Sequence, residues 1–181
     1  MKALSLTAPW AHLIAIGAKR YETRSANFPR RHHGELAIVS SMGFPPDMPR
    51  SYCKQLSKQE PFAEALRRAD LTFDRLALGY VLAVVQVVGY CNAQDVSPSA
   101  THPRCYSWRS PDWAVRADPA AHDHAFGDYT DGRTIILTGN PRRLRHPVHV
   151  VRMRKGLPIN GGALGIYTLS PGCEMAVRAE I

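Results

Sequence analysis

Gly79-Tyr80-Val81-Leu82-Ala83-Val84-Val85-Gln86-Val87-Val88-Gly89-Tyr90 is the run on which the fold turns. Five of its twelve residues are valine, Gln86 is the sole polar side chain between Val81 and Val88, and a glycine stands near each end. β-Branched side chains suit the pleated backbone, and an unbroken apolar run marks a strand covered on both faces. This is therefore expected to be a central strand.

Towards the N-terminus, Lys2 to Leu6 predicts a short first strand. Thr7 can then cap and Pro9 open a helix whose Trp10, Leu13, Ile14 and Gly17 recur at helical spacing. That helix should end at Gly17. Tyr21 to Arg24 reads as extended, and Gly34 to Ser41 as a largely buried strand. Between them Arg30-Arg31-His32-His33 beside Pro29 predicts a charged turn, open either to phosphate or to solvent. Gly43 to Pro49 is a proline-rich break, and Phe62 to Ala69 has the composition and spacing of a mid-chain helix.

Towards the C-terminus, residues 91–126 are turn-rich, with Pro98, Pro103, Pro111 and Pro119, and read as a long loop inserted in the domain. Thr134 to Leu137, Val148 to Met153 and Ala163 to Leu169 supply three further strands. Many strands with one N-terminal and one mid-chain helix predict an α+β, β-rich fold: a small barrel with those helices packed on it. No linker, repeat or low-complexity tract divides the chain, so residues 1–181 are read as one domain.

The 181 residues are 45% hydrophobic and 21% charged, with 23 cations against 15 anions and a net charge of +8. That excess favours an anionic partner, nucleic acid first. Eighteen of the cations are arginine, which forms bidentate contacts with phosphate and stacks on bases. Cys53, Cys91, Cys105 and Cys173 show no close spacing and read as free thiols of a reducing cytoplasm. Pro9, Trp10 and His12 interrupt the first apolar stretch, against a signal peptide, and no stretch approaches the roughly 20 apolar residues of a membrane span. His122 with His124 and His146 with His149 have no nearby cysteine and no convincing set of carboxylates, so no metal site and no cofactor is expected.

The chemistry concentrates in Gly17-Ala18-Lys19-Arg20-Tyr21-Glu22-Thr23-Arg24, a G-x-K-x-x-E-x-R pattern at the junction of helix and strand. Strand alternation places Glu22 and Arg24 on one face and Tyr21 and Thr23 on the other. A capped helix followed by an intrastrand ion pair would explain the pattern equally well.

Its context goes further. Met1-Lys2-Ala3-Leu4-Ser5-Leu6, then Ala8-Pro9-Trp10-Ala11 with Leu13-Ile14, then the motif, then Gly34 with Leu36-Ala37-Ile38 follow one another in order. The Gly79 to Tyr90 strand, Phe126-Gly127-Asp128-Tyr129 with Gly132-Arg133, and Pro147-Val148 complete the series. Over nearly the whole chain this order resembles the ASCH domain family, related in fold to PUA domains. The resemblance implies a PUA-like β-barrel with a cleft lined by the motif, and a nucleic-acid-binding module. One branch of the family hydrolyses N4-acetylcytidine, and ribonuclease activity is attributed to others.

The amidohydrolase branch uses a lysine, a threonine three residues later and a separate glutamate. Lys19 matches the lysine, but Glu22 stands where the threonine would be, and a carboxylate cannot perform the same acyl transfer as a hydroxyl nucleophile. Where close relatives read I-H-A-S-K this chain has Ile38-Val39-Ser40-Ser41-Met42, so Ser41 alone keeps its polar character.

The expected function is thus binding of RNA or another nucleic acid, as a single-stranded segment or a nucleotide. Lys19 and Arg24 would meet phosphate or base, Glu22 would accept from an exocyclic amine or orient Lys19, and Trp10 or Tyr129 would stack, with Ser41, Asp128 and Arg133 completing the ligand set. The alternative is a hydrolase acting on RNA phosphodiesters or a modified nucleoside, with Lys19 and Glu22 as acid/base pair. Cys105-Tyr106-Ser107-Trp108-Arg109 with Trp113 suits either single-stranded nucleic acid or a loop pinned to its own barrel, and a protein partner can also meet that loop. Arg142-Arg143-Leu144-Arg145-His146 and Arg152 with Arg154 form a basic stripe that solvation alone can explain. No membrane partner is expected.

Overall fold

The valine-rich run forms strand β4 (Tyr80–Asn92), and its side chains are buried on both faces from Val81 to Val85. In a computed structural model the chain is α+β and strand-rich, as its pattern predicts. The structure describes residues 1–93, the backbone of 106–107, and residues 125–162 and 165–181. Most of the expected 91–126 loop, with Cys105, Trp108, Trp113, His122 and His124, lies outside the described residues.

The remaining strands are β1 (Lys2–Leu6), β2 (Tyr21–Arg24), β3 (Gly34–Ser40), β5 (Tyr106–Ser107), β6 (Thr134–His149), β7 (Val151–Arg154), β8 (Leu157–Asn160) and β9 (Ile166–Thr168). Helices α1 (Trp10–Ala15), α2 (Arg50–Leu56), α3 (Phe62–Arg68) and α4 (Pro171–Glu180) accompany them. The hydrogen-bonded order is β2-β6-β4-β3-β1-β9 with β5 beside β4, and β7 and β8 form a separate two-stranded ribbon. Contacts group the described chain into two compact units, through both of which β4 and β6 run: residues Met1–Ala18, Glu35–Val85 and Pro141–Ile181, and residues Lys19–Gly34 and Gln86–Asn140. Among the described residues no helix is long and apolar enough to cross a membrane.

In the first unit β1 pairs in parallel with β3, Ala3 against Ala37 and Leu4 against Ile38, and antiparallel with β9. The core packs Ala3, Ala37, Val39, Val81 and Val84 against Leu144, Val150, Leu169 and two α4 residues one turn apart, Cys173 and Val177. Every residue of α1 from Ala11 to Ala15 is buried, so this helix is enclosed rather than amphipathic. In the second unit Cys91, Ala93, Ile135 and Leu137 form a smaller core, joined by Tyr21, Val88 and Tyr129.

Several expectations are corrected. Thr7 does not cap α1 through its side chain; its carbonyl accepts from Ala11, and Pro9 stands at the cap. Thr134 to Leu137 is only the start of one long strand, which runs on through Gly139-Asn140-Pro141 although Asn140 takes φ 50. The β7–β8 hairpin went unread because Lys155, φ 49, occupies a turn position where asparagine or glycine is the usual signal. Two further helices join the expected pair. The prolines before Pro49 obscured α2, and α4 carries a start signal at Ser170-Pro171.

Ser170 Oγ accepts from the Cys173 amide at 3.3 Å and so satisfies one orphan donor of α4. Ser170→Ala should therefore cost about 1 kcal/mol. A urea titration should show a lower midpoint with an unchanged slope.

Candidate functional site

The G-x-K-x-x-E-x-R run opens where α1 has ended and Gly17 takes φ 77. From Lys19 onward it belongs to the second unit. β2 pairs antiparallel with β6, Tyr21 against Leu137, Glu22 against Ile136, Thr23 against Ile135 and Arg24 against Thr134. Among the described residues β2 is an edge strand. The pairing sends Glu22, Arg24 and Thr134 to one face and Tyr21, Thr23, Ile135 and Leu137 to the other.

Lys19 is 1% exposed, which is unusual for a lysine. Its ammonium donates to the Tyr21 carbonyl and lies 3.6 Å from Glu22 Oε2. Glu22, also buried, lies between the two cations, with its Oε1 3.2 Å from Arg24 Nε. The Arg24 side chain is 22% exposed, and its guanidinium lies over the Phe28 ring, 5.7 Å from the centroid. A buried cation, a buried carboxylate and a partly exposed cation thus follow one another from interior to surface.

The loop after β2 is fastened on the Arg24 face. Arg30 donates to Thr134 Oγ1 at 3.0 Å and to Asn92 Oδ1 at 2.5 Å. Tyr90 donates its hydroxyl to the His32 carbonyl at 2.6 Å, and burial pushes that phenol above its ordinary value. The His33 and Tyr90 rings meet edge to face at 5.6 Å. Arg30 is therefore committed to structure, whereas Arg31 stands exposed.

The residues expected to share one ligand are sorted into separate places. Lys19, Glu22 and Arg24 come together as one chain of charges. Asp128 and Arg133 form their own pair at 3.0 Å, with the Asp128 amide donating to Thr23 Oγ1 on the opposite face of β2. The Thr130 amide, donating to the Asp128 carboxylate, holds it below its ordinary range, with Arg133 adding to the effect. Tyr129 packs against the core of Cys91, Ala93, Ile135 and Leu137. Gly127 is required in that turn, because a Cβ there would sit 2.7 Å from the Tyr129 ring and 3.1 Å from the Thr23 methyl.

Trp10 and Ser41 belong to the first unit. The Trp10 ring meets Phe62 edge-on at 6.0 Å, and the Ser41 amide donates to the Leu6 carbonyl. Phe28, Thr134 and Asn92 were not singled out in the sequence, although an aromatic residue four places beyond Arg24 is a readable hint. Of the basic stripe, Arg142 pairs with Glu35, and Arg145 and His146 engage the end of α4 at Ala179 and Glu180. Among the described residues no three metal-ligating side chains cluster.

No protein-family model matches the chain, and curated proteins include no match by sequence. The chain is similar in fold to the ASCH protein of Zymomonas mobilis. That crystal structure matches with 12% identity and a TM-score of 0.45, over 98% of this chain and 93% of that one. A tyrosine-to-phenylalanine mutant of the same protein matches at 11% identity and a TM-score of 0.46, over 98% of this chain and 96% of the other.

Proposed function

We propose that this protein is a cytosolic nucleic-acid-binding module that takes a single-stranded RNA segment or a nucleotide at the Arg24 face of β2. The observation that carries this reading is the buried Lys19–Glu22 pair behind a partly exposed Arg24. An apolar pair of similar volume would generally serve stability as well or better, so burying two charges is better explained by what they position. Glu22 sets a negative charge 3.2 Å from Arg24 Nε, and the Phe28 ring lies beneath the guanidinium. A fixed guanidinium can bind a phosphate in a bidentate way, and an aromatic plane beside it can receive a base. The net charge of +8 supports the same class of partner. Cys53 and Cys173, free and buried, agree with a reducing compartment.

Lys19 and Glu22 thus act as positioning residues and Arg24 as the ligand-facing group. Arg24→Ala should weaken binding to single-stranded RNA by about 1–3 kcal/mol, roughly 5- to 150-fold. Arg24→Lys should restore only part of this, because an ammonium lacks the guanidinium fork. Fluorescence anisotropy at several salt concentrations measures both. Wild-type affinity that does not fall with salt would contradict the reading.

The second reading, a hydrolase acting on RNA or on a modified nucleoside such as N4-acetylcytidine, draws on the 3.6 Å separation of Lys19 Nζ and Glu22 Oε2. Incubation with each substrate separates the two. Turnover by wild type that Lys19→Met abolishes would establish the enzyme; absence of turnover, with binding sensitive to Arg24, leaves the module.

A further inference from the structure

From residue 141 to residue 173 the chain contains six Arg or Lys side chains and no Asp or Glu. The structure assigns these cations different roles. Arg142 pairs with Glu35, Arg145 donates to the Ala179 carbonyl at 2.8 Å, and Arg152 Nε donates to the Gly162 carbonyl at 3.0 Å. Arg154 and Lys155, at the tip of the β7–β8 hairpin, are exposed and meet no hydrogen-bond or ion-pair partner among the described residues. Across the ribbon Arg152 stands opposite Ile159 and Arg154 opposite Leu157, which is 67% exposed. One face therefore alternates guanidinium groups with aliphatic side chains.

We propose that the β7–β8 hairpin is a second nucleic-acid contact, holding the phosphate backbone through Arg154 and Lys155 with Arg152 beside them. Phosphate can take up Arg154 and Lys155 without breaking an ion pair inside the protein. Its gain is the release of condensed counterions. Residues two apart on a strand advance about 7 Å, of the order of one phosphate-to-phosphate step along a nucleic-acid chain. The Arg152 side chain, donating from Nε to the Gly162 carbonyl, ties the ribbon's base to the chain beyond β8. Leu157 adds an apolar surface for a sugar or base edge. A single exposed leucine among three cations offers too little apolar area to enter a bilayer. This contact does not depend on the Arg24 reading.

The test uses a short fluorescent single-stranded oligouridylate, with affinity measured against salt. The double variant Arg154→Ala with Lys155→Asn keeps the turn, since asparagine tolerates the φ of 49 that Lys155 adopts. Circular dichroism checks that it folds. Its plot of log affinity against log salt should be shallower than wild type by roughly 1.4, two phosphate contacts at about 0.7 each. Arg154→Lys should keep the wild-type slope, because charge rather than fork geometry is read.

An unchanged slope in the double variant overturns the inference, as does a slope for Arg154→Lys as shallow as that of Arg154→Ala. Loss of binding to phosphatidylserine vesicles in the double variant, with RNA binding intact, overturns it in favour of a membrane surface. Arg24→Ala separates the two contacts. If Arg24→Ala abolishes binding and the hairpin variant binds like wild type, this inference falls and the Arg24 reading stands. If the hairpin variant weakens binding and Arg24→Ala does not, the Arg24 reading falls and this one stands.

Discussion

Replacing Glu22 with alanine is expected to lower the stability of the fold by about 3–5 kcal/mol, the range found when one member of a buried ion pair is removed. The reason lies with Lys19, whose side chain is 1% exposed and whose ammonium faces Glu22 Oε2. Without the carboxylate a buried positive charge keeps its cost of desolvation and loses its paired negative charge, retaining the Tyr21 carbonyl. Arg24 loses its Nε partner in the same step. The double variant Lys19→Met with Glu22→Leu should recover most of the loss, because apolar residues of similar volume leave no charge to desolvate. Chemical denaturation of the wild type, Glu22→Ala and the double variant measures both effects. A Glu22→Ala chain within about 1 kcal/mol of wild type would mean that the pair is not buried in solution, since exposed pairs are worth that little. A stable double variant that no longer binds RNA would assign the pair to positioning rather than to folding.

The second large effect is a loss of stability between about pH 6.5 and pH 4, traced to His12. His12 is 4% exposed in α1, and its pKa is lowered from 6.5 to about 4. Burial is the main cause and the Arg143 charge adds to it, while the Ala77 backbone acts weakly in the opposite direction. Neither ring nitrogen makes a hydrogen bond of good geometry. In this pH window the unfolded chain binds a proton at His12 that the folded chain refuses, so stability rises with pH. The contribution is complete above about pH 6.5 and is lost as pH falls through about 4. The size is roughly 3 kcal/mol over the window.

The carboxylates Glu35, Asp128 and Glu174 all lie below their ordinary values of 4.5, 3.8 and 4.5, so their contributions begin to be lost only near the acid end of this window and leave its upper part to His12. That ordering isolates the histidine. In His12→Leu the decline between pH 6.5 and pH 4 should flatten, as read from thermal midpoints in a pH series. An identical decline in the variant would assign the pH response elsewhere.

The elements that the sequence displayed best are those whose signal is local. Val81 to Val88 needs no partner to be read as a buried strand, because β-branching and the lack of polar relief belong to the run itself. Phe62 to Ala69 and the helix after Pro9 are legible for the same reason, through composition and spacing. Ser170-Pro171 was equally local, and α4 was missed although its cap and opening proline were both present. The β7–β8 hairpin was harder, since a lysine stands at the first left-handed turn position and leaves Gly156 as the turn's one mark.

The candidate site divides in the same way. Alternation along Tyr21 to Arg24 already paired Glu22 with Arg24 and opposed them to Thr23. What alternation lacks is the third dimension. The register of β2 on β6 brings Thr134 opposite Arg24, and the Asp128 amide reaches Thr23 on the other side. Hence Asp128 and Arg133 pair with each other, with the Asp128 amide on the Thr23 side of β2.

By itself the sequence determined the α+β class, the central strand, the basic charge and the Lys19-Glu22-Arg24 grouping, because these are properties of neighbouring residues and of totals. Only the tertiary structure decided that Lys19 is buried, that Glu22 links it to a partly exposed Arg24, and that Arg142 and Arg145 are occupied while Arg154 and Lys155 are not. Burial and ion pairing depend on which distant segments pack together, and a charge reads the same in one dimension whether its partner is a carboxylate, a carbonyl or water.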